Sequence, residues 1–356
     1  MARQEALRIL HQGTVIPAAP LALDEYRKFD EHRQRALVRY YMDSGCGGMA
    51  IGVHTTQFEI RKPEHNLLEP VLSTVSEEIG CFEQATSKTI VKVAGACGET
   101  RQALAEAALA KDLGFDAVLL SPGGLTHLSE AEMISRTKAV AEVMPVIGFY
   151  LQPSVGGRAF SYNYWAQVAE IPNVVALKAA PFNRYATLDL VRAVAMSSRN
   201  DQIALYTGND DNIVVDLLTQ YRFTKDGQTV TKEFVGGLLG HWSVWTRRAV
   251  ELLERVKRRE DIAEILALAN EITDANSVIF DTANGFSGCI PGIHEVLRRQ
   301  GLLQGIWCLD PHETLSPGQA KEIDRIYHQY PHLHDDDFVK ENLSTWLAQS
   351  GTISSC

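Results

Sequence analysis

Along the first 258 residues, apolar and β-branched runs of six or seven residues alternate with longer stretches of helical period. The runs are "GTVIPA" (13–18), "GGMAIGV" (47–53), "TIVKVAG" (89–95), "DAVLLSP" (116–122), "PVIGFYL" (145–151), "NVVALKA" (173–179), "QIALYTG" (202–208) and "FVGGLLG" (234–240). Nearly continuous apolarity marks strands buried on both faces, as in a parallel sheet, and the intervening segments read as the crossover helices. In "ETRQALAEAALAKDLG" (99–114), Leu104, Ala107, Ala108 and Leu113 form one stripe and Gly114 supplies the stop. Eight such repeats predict an α/β protein with a (β/α)8 TIM barrel over residues 1–258. The polar insert "TKDGQTVTKE" (224–233), with its central Asp-Gly, predicts a surface hairpin or loop.

Beyond residue 258 the strand signal stops. "DIAEILALANEITDANSVIF", "GIHEVLRRQGLL" and "PGQAKEIDRIYHQY" are helical in period, and no Gly/Ser linker precedes them. Residues 259–356 are therefore expected to form a C-terminal helical region packed on the barrel. The tail "YPHLHDDDF" carries His328, His332 and His334 at or near it, but their spacing fits no established ligand set, and a solvated, locally frayed terminus is the expectation.

Composition narrows the function classes. The chain of 356 residues is 45% hydrophobic and 22% charged, the proportions of a globular protein. Its formal net charge of −10, without a sustained basic block, argues against nucleic acid and against an anionic membrane surface. No run approaches the length of a membrane span and the N-terminus lacks an apolar signal core, so a soluble, cytoplasmic protein is expected. Six scattered cysteines without a C-x-x-C pair suit reduced thiols and make a structural zinc site improbable.

In a TIM barrel the chemistry collects at the C-terminal ends of the strands. Those ends carry Thr55 and Thr56 after the second strand, "SPGGLTH" after the fourth, Tyr150 at the fifth, Lys178 at the sixth, "TGNDD" after the seventh, and His241 with Trp242 after the eighth. A lysine at the inner end of an apolar strand is desolvated toward the neutral amine, the form that attacks a carbonyl to make a Schiff base. Tyr150 precedes Lys178 by 28 residues, about one strand–helix–strand repeat, so the phenol is expected to face the same cavity and relay the proton of the carbinolamine. The hydroxyls of Thr55 and Thr56, with free N–H groups in the turn, suit a carboxylate. Each feature also has a plain structural reading: a snorkelling lysine, a core tyrosine, β-forming threonines and a barrel cap made by His241 and Trp242.

Taken together these residues resemble the dihydrodipicolinate synthase / N-acetylneuraminate lyase family of class I, Schiff-base aldolases. The resemblance rests on "GTVIPAAPLALD", "HTTQFE", "KVAGACGET", "YLQP", "ALKAA" and "RRQGLLQGIWCLDPHETLSPGQAKEIDRI". It implies that Lys178 forms the imine, that Tyr150 handles the proton, and that Thr55 and Thr56 hold the carboxylate of a 2-oxo acid such as pyruvate. It also implies a homo-oligomer, dimer or tetramer. Three departures stand out. Gly123 and Gly124 occupy the place of a tyrosine that reaches a neighbouring subunit, Val155 falls where dihydrodipicolinate synthase has an arginine, and the threonine loop continues as Gln57-Phe58-Glu59.

The expectation is thus a lyase, aldolase or dehydratase, acting on pyruvate, a 2-keto-3-deoxy sugar acid or an arylidene pyruvate, with no metal and no organic cofactor. Trp242, Trp245 and Phe58 are the candidate walls of an enlarged aromatic rim, and His241 with Trp242 are candidate substrate contacts. Two other readings stand beside it: a non-catalytic barrel that binds an oxo acid as a regulator, and a metal-dependent barrel aldolase using His241.

Overall fold

The structure is a computed structural model that describes residues 2–348. All eight apolar runs are strands: β1 (Val15–Pro17), β2 (Gly48–Ile51), β3 (Val91–Ala96), β4 (Ala117–Leu120), β5 (Val146–Leu151), β6 (Val174–Ala180), β7 (Ala204–Thr207) and, after a hairpin, β10 (Phe234–Leu239). They form one parallel sheet in the order β1-β10-β7-β6-β5-β4-β3-β2. A bridge between Ala18 and Ala50 brings β1 back to β2 and closes the barrel. The crossovers are α2 (Glu31–Asp43), α3 (Leu68–Thr86), α4 (Thr100–Asp112), α5 (Glu130–Val143), α6 (Tyr162–Ala169), α7 (Arg184–Met196) and the short α8 (Ile213–Leu218), and α9 (Thr246–Lys257) follows β10. The polar insert is the hairpin β8 (Tyr221–Lys225) and β9 (Gln228–Lys232). Its two-residue turn has positive φ at both Asp226 and Gly227, the backbone that an Asp-Gly pair tolerates best.

Two apolar layers follow from the alternation of side chains along each strand. Ile16, Ala50, Val93, Leu119, Ile147, Phe149, Ala176, Ala204 and Leu238 fill the barrel interior. Val118, Val146, Tyr150, Leu177 and Leu205 face the helices. An element absent from the sequence expectation, helix α1 (Ala2–Gln12), closes the bottom of the barrel: Ala6 and Leu10 join the inner core, and Tyr206 Oη donates to the Leu10 carbonyl at 2.8 Å.

The C-terminal region is helical and packs on the barrel. Its helices are α10 (Ile262–Ile279), α11 (Cys289–Arg299), α12 (Gln319–Gln329) and α13 (Asp336–Ala348). The tail is not frayed as far as residue 348. Asp335 is buried and accepts hydrogen bonds from Tyr40 Oη at 2.9 Å, Gln300 Nε2 at 2.8 Å and the Arg247 backbone N–H at 3.0 Å. Helix α13 then lies on α2, where Trp346 meets the ring of Tyr40 edge-on and its Nε1 donates to Asp43 at 2.6 Å. One of the six cysteines, Cys356, lies outside the described residues. Among the described residues, no helix is long and apolar enough to cross a membrane.

Trp346→Ala should cost about 3–5 kcal/mol, the usual effect of emptying a buried indole site. Urea denaturation checks this, and a change below about 0.5 kcal/mol, typical of surface positions, would mean that α13 adds nothing to the fold.

Candidate active site

At the C-terminal end of the barrel lies a pocket enclosing about 600 Å³ of empty space, part of it open to solvent, lined by residues of strands β4, β5 and β6, of the turns after β1, β2, β5, β6, β7 and β10, and of the C-terminal region. Lys178 reaches into it from β6 and is only 8% exposed. Its chain is confined by the backbone just after β7: a Cβ on Gly208 would stand 2.3 Å from Lys178 Cε and 2.9 Å from Ala180 Cβ, so a side chain there would displace the lysine. Burial pulls the lysine's pKa down, and the nearby Asp210 carboxylate opposes that shift. Asp210 lines the same cavity, and burial pushes its carboxyl up against the pull of Lys178.

Tyr150 does not meet Lys178. The pairing of β5 with β6 sets Phe149 against Lys178, and Tyr150 against Ala179, one residue over and on the opposite face. The reason is a bulge. Val146 pairs with Val174, but Ile147 already pairs with Ala176, so Val175 is an extra residue in β6 and everything after it shifts by one. Phe149 therefore lies beside the amine, with Lys178 Nζ 4.3 Å from its ring centroid. Tyr150 is buried among Phe160, Tyr164 and Trp165 in the helix layer, and its hydroxyl accepts the Phe160 N–H at 3.1 Å.

The threonines also divide. Thr55 lines the cavity, with its hydroxyl proton given to the Ala18 carbonyl at 2.6 Å. Thr56 does not line it: its hydroxyl donates to Ala19 O at 2.8 Å and accepts from the N–H groups of Gly52 and Val53, so it ties β2 to β1. The preceding His54 does line the cavity, and burial with Lys178 nearby lowers its pKa to about 4. Gln57, at a positive φ, accepts the Leu309 N–H at 2.6 Å and clasps this turn to the C-terminal segment.

The side chains of His241 and Trp242 are not in the site. Both border a separate cavity shared with Trp245, with Leu252 of α9, with Ile272 of α10 and with the tail, and Trp242 is fully buried. His241 acts on the site through its backbone, whose N–H donates to Asp210 Oδ1 at 3.0 Å. Phe58 packs against His54 instead of lining the cavity. The aromatic walls are other residues: Phe149, Phe182, Phe280 and Phe286, with Leu151 and Val155. Asp210 was signalled by "TGNDD" at a strand end, whereas Phe280, Phe286 and Cys289 come from the C-terminal region, which strand-end reasoning does not reach.

The model of the Dihydrodipicolinate synthetase family matches residues 11–329. The chain belongs to that family. Over 204 residues it is 27% identical to a protein of Rhizobium meliloti described as an uncharacterized DapA-like lyase, covering 57% of this chain and 63% of that one. Over 166 residues it is 25% identical to an N-acetylneuraminate lyase of Mediterraneibacter gnavus, covering 46% and 50%. The matched stretches thus span between half and two thirds of those relatives' lengths. The fold superimposes on dihydrodipicolinate synthase from Oceanobacillus iheyensis with a TM-score of 0.73 at 16% identity, over 93% of this chain and 100% of that one.

Because the Tyr150 hydroxyl lies behind the strand, Tyr150→Phe should leave any imine formation at Lys178 within about twofold of wild type. It should destabilise the fold by about 1–3 kcal/mol, since the buried Phe160 N–H loses its acceptor. Thermal unfolding and the rate of trapping of pyruvate by borohydride check the two halves separately.

Proposed function

We propose that this protein is a Schiff-base-forming lyase of a 2-oxo acid, with Lys178 as the nucleophile. The observation that carries the reading is the Lys178 amine buried on the inner face of the barrel, in a cavity where its desolvation favours the neutral form. A free amine adds to the keto carbon, and the resulting iminium draws electrons from the neighbouring carbon. The bond at that carbon then breaks or forms without a metal or an organic cofactor. Thr55 and His54, at the turn after β2, are the groups placed to receive the carboxylate, once the Thr55 hydroxyl swings away from Ala18 O.

The far end of the substrate is apolar or aromatic in this reading. Phe182, Phe280 and Phe286 with Leu151 and Val155 offer no partners to a chain of hydroxyls, with the Gln152 amide as a polar group among them, and each unpartnered hydroxyl buried there would cost about 1–3 kcal/mol. An arylidene pyruvate, or the aryl aldehyde and pyruvate it yields, suits those walls better than a 2-keto-3-deoxy sugar acid. The second reading, a non-catalytic barrel that binds an oxo acid, is favoured by the phenyl ring standing beside the lysine where a proton-handling phenol was expected.

Incubation with pyruvate and borohydride, followed by peptide mass analysis, should place the reduced adduct on Lys178, and Lys178→Ala should abolish it. Binding without adduct, together with no turnover across aryl and sugar-acid substrates, would favour the non-catalytic barrel. Only the neutral amine reacts, and burial holds the lysine's pKa below its ordinary value. Trapping should therefore rise with pH and reach its maximum well short of pH 10.

A further inference from the structure

Resting on the Schiff-base reading of Lys178, we propose that Asp210 is the group that carries the proton in this site, in place of a phenol. The position beside the lysine is held by a phenyl ring, which neither gives nor takes a proton. The phenol of Tyr150 is on the far face of β5, engaged with the Phe160 N–H. The proton must move through something else.

The other groups facing the cavity are poorly suited. The Thr55 hydroxyl is taken at rest by the Ala18 carbonyl and, in the substrate complex, by the carboxylate it receives. The Cys289 thiol of α11 is pushed far up by burial, with the charge of Asp210 adding to the effect, and stays protonated. The His54 ring is held neutral by burial. Asp210 alone is built for exchange. Its Oδ1 is fixed by the His241 N–H at 3.0 Å, and its carboxyl lines the same cavity as the lysine. Its backbone is fixed too: Asn276 Nδ2 of α10 donates to its carbonyl at 3.2 Å, and two residues earlier the Gly208 N–H donates to Ala179 O at 2.7 Å while Gly208 lies against the Lys178 chain. The charges that bear on it are Lys178 of β6, which favours the carboxylate, and the adjacent Asp211, which disfavours it. The His241 ring, kept neutral by burial, turns to the other cavity.

The proton balance closes with a single shared proton. The working pair is a free Lys178 amine and a protonated Asp210. The amine's lone pair forms the bond to C2, and the carbonyl π pair moves to oxygen. Asp210 passes a proton from nitrogen to that oxygen, giving the carbinolamine. Asp210 then gives its own proton to the hydroxyl, water leaves, and the nitrogen lone pair closes the iminium, so the carboxyl has become a carboxylate opposite a cation. That carboxylate next takes a proton from C3, the C–H pair forms the enamine, and Asp210 is protonated again.

The test is the rate of borohydride-trapped pyruvate on Lys178 as a function of pH. Wild type should give a bell, because the amine must be free and the carboxyl protonated. Asp210→Asn, which keeps an oxygen for the His241 N–H, should lower the maximum by roughly 10²–10⁴-fold and remove the alkaline fall. Phe149→Tyr in that background should restore at least about tenfold of the loss, since it returns a phenol to the lysine's side. Wild-type trapping rates in Asp210→Asn, or a wild-type rate that climbs to a plateau with no alkaline fall, would overturn the proposal. The wild-type profile decides even if the Asn variant does not fold. Absence of any adduct on wild-type Lys178 is a different failure, which removes the Schiff-base reading itself.

Discussion

One buried amine organises this end of the barrel. A charge on Lys178 would sit inside a parallel barrel with apolar neighbours, and its desolvation has to be met by a counter-charge or by loss of the proton. The structure supplies both routes. Asp210 stands at the end of the next strand in the ring as a partial counter-charge, itself desolvated. Gly208 lets the β7 backbone come close enough to confine the lysine chain, and the Phe149 ring covers the amine from β5. Neither ionisable group is comfortable charged alone, so small changes in what fills the cavity decide where their proton resides.

The C-terminal helices complete the same enclosure. Phe280 and Phe286 stand at the end of α10 and in the turn that follows it, and Cys289 opens α11, so the cavity has walls that the barrel does not provide. Those walls are held at a distance from the chemistry. Gln57 joins the turn after β2 to Leu309, Asn276 joins α10 to Asp210, and the buried Asp335 fastens the tail to α2 and α9. The enclosure of the pocket therefore depends on contacts made up to several helices away, which is the physical link between the stability of the tail and the environment of the lysine.

Much of the architecture was legible because it rests on local patterns. Eight apolar runs separated by helical periods can hardly be anything but a parallel sheet with covered faces, and each run is a strand of the barrel. The hairpin at Asp226-Gly227 and the position of Lys178 on a buried strand were equally readable. Helix α1, the docked α13 and the phenyl walls from the C-terminal region were not, because each is defined by a surface it meets far along the chain and not by its own period. His241 and Trp242 were placed at the correct end of the barrel, but a turn fixes where its backbone goes and not where its side chains point. The structure sends the ring of one and the indole of the other into a different cavity.

The choice between Tyr150 and Phe149 shows the division most sharply. The sequence by itself determined that a lysine ends one buried strand, that an aromatic pair ends the strand before it, and that 28 residues separate phenol from amine. That offset is also the register of the first pair across the two strands, Val146 with Val174. Had it continued, Tyr150 would stand opposite Lys178. Only the tertiary structure inserts Val175 as a bulge, and one extra residue in a pleat of period two exchanges the faces: the lysine turns into the barrel opposite a phenyl ring, and the phenol turns out to the helices.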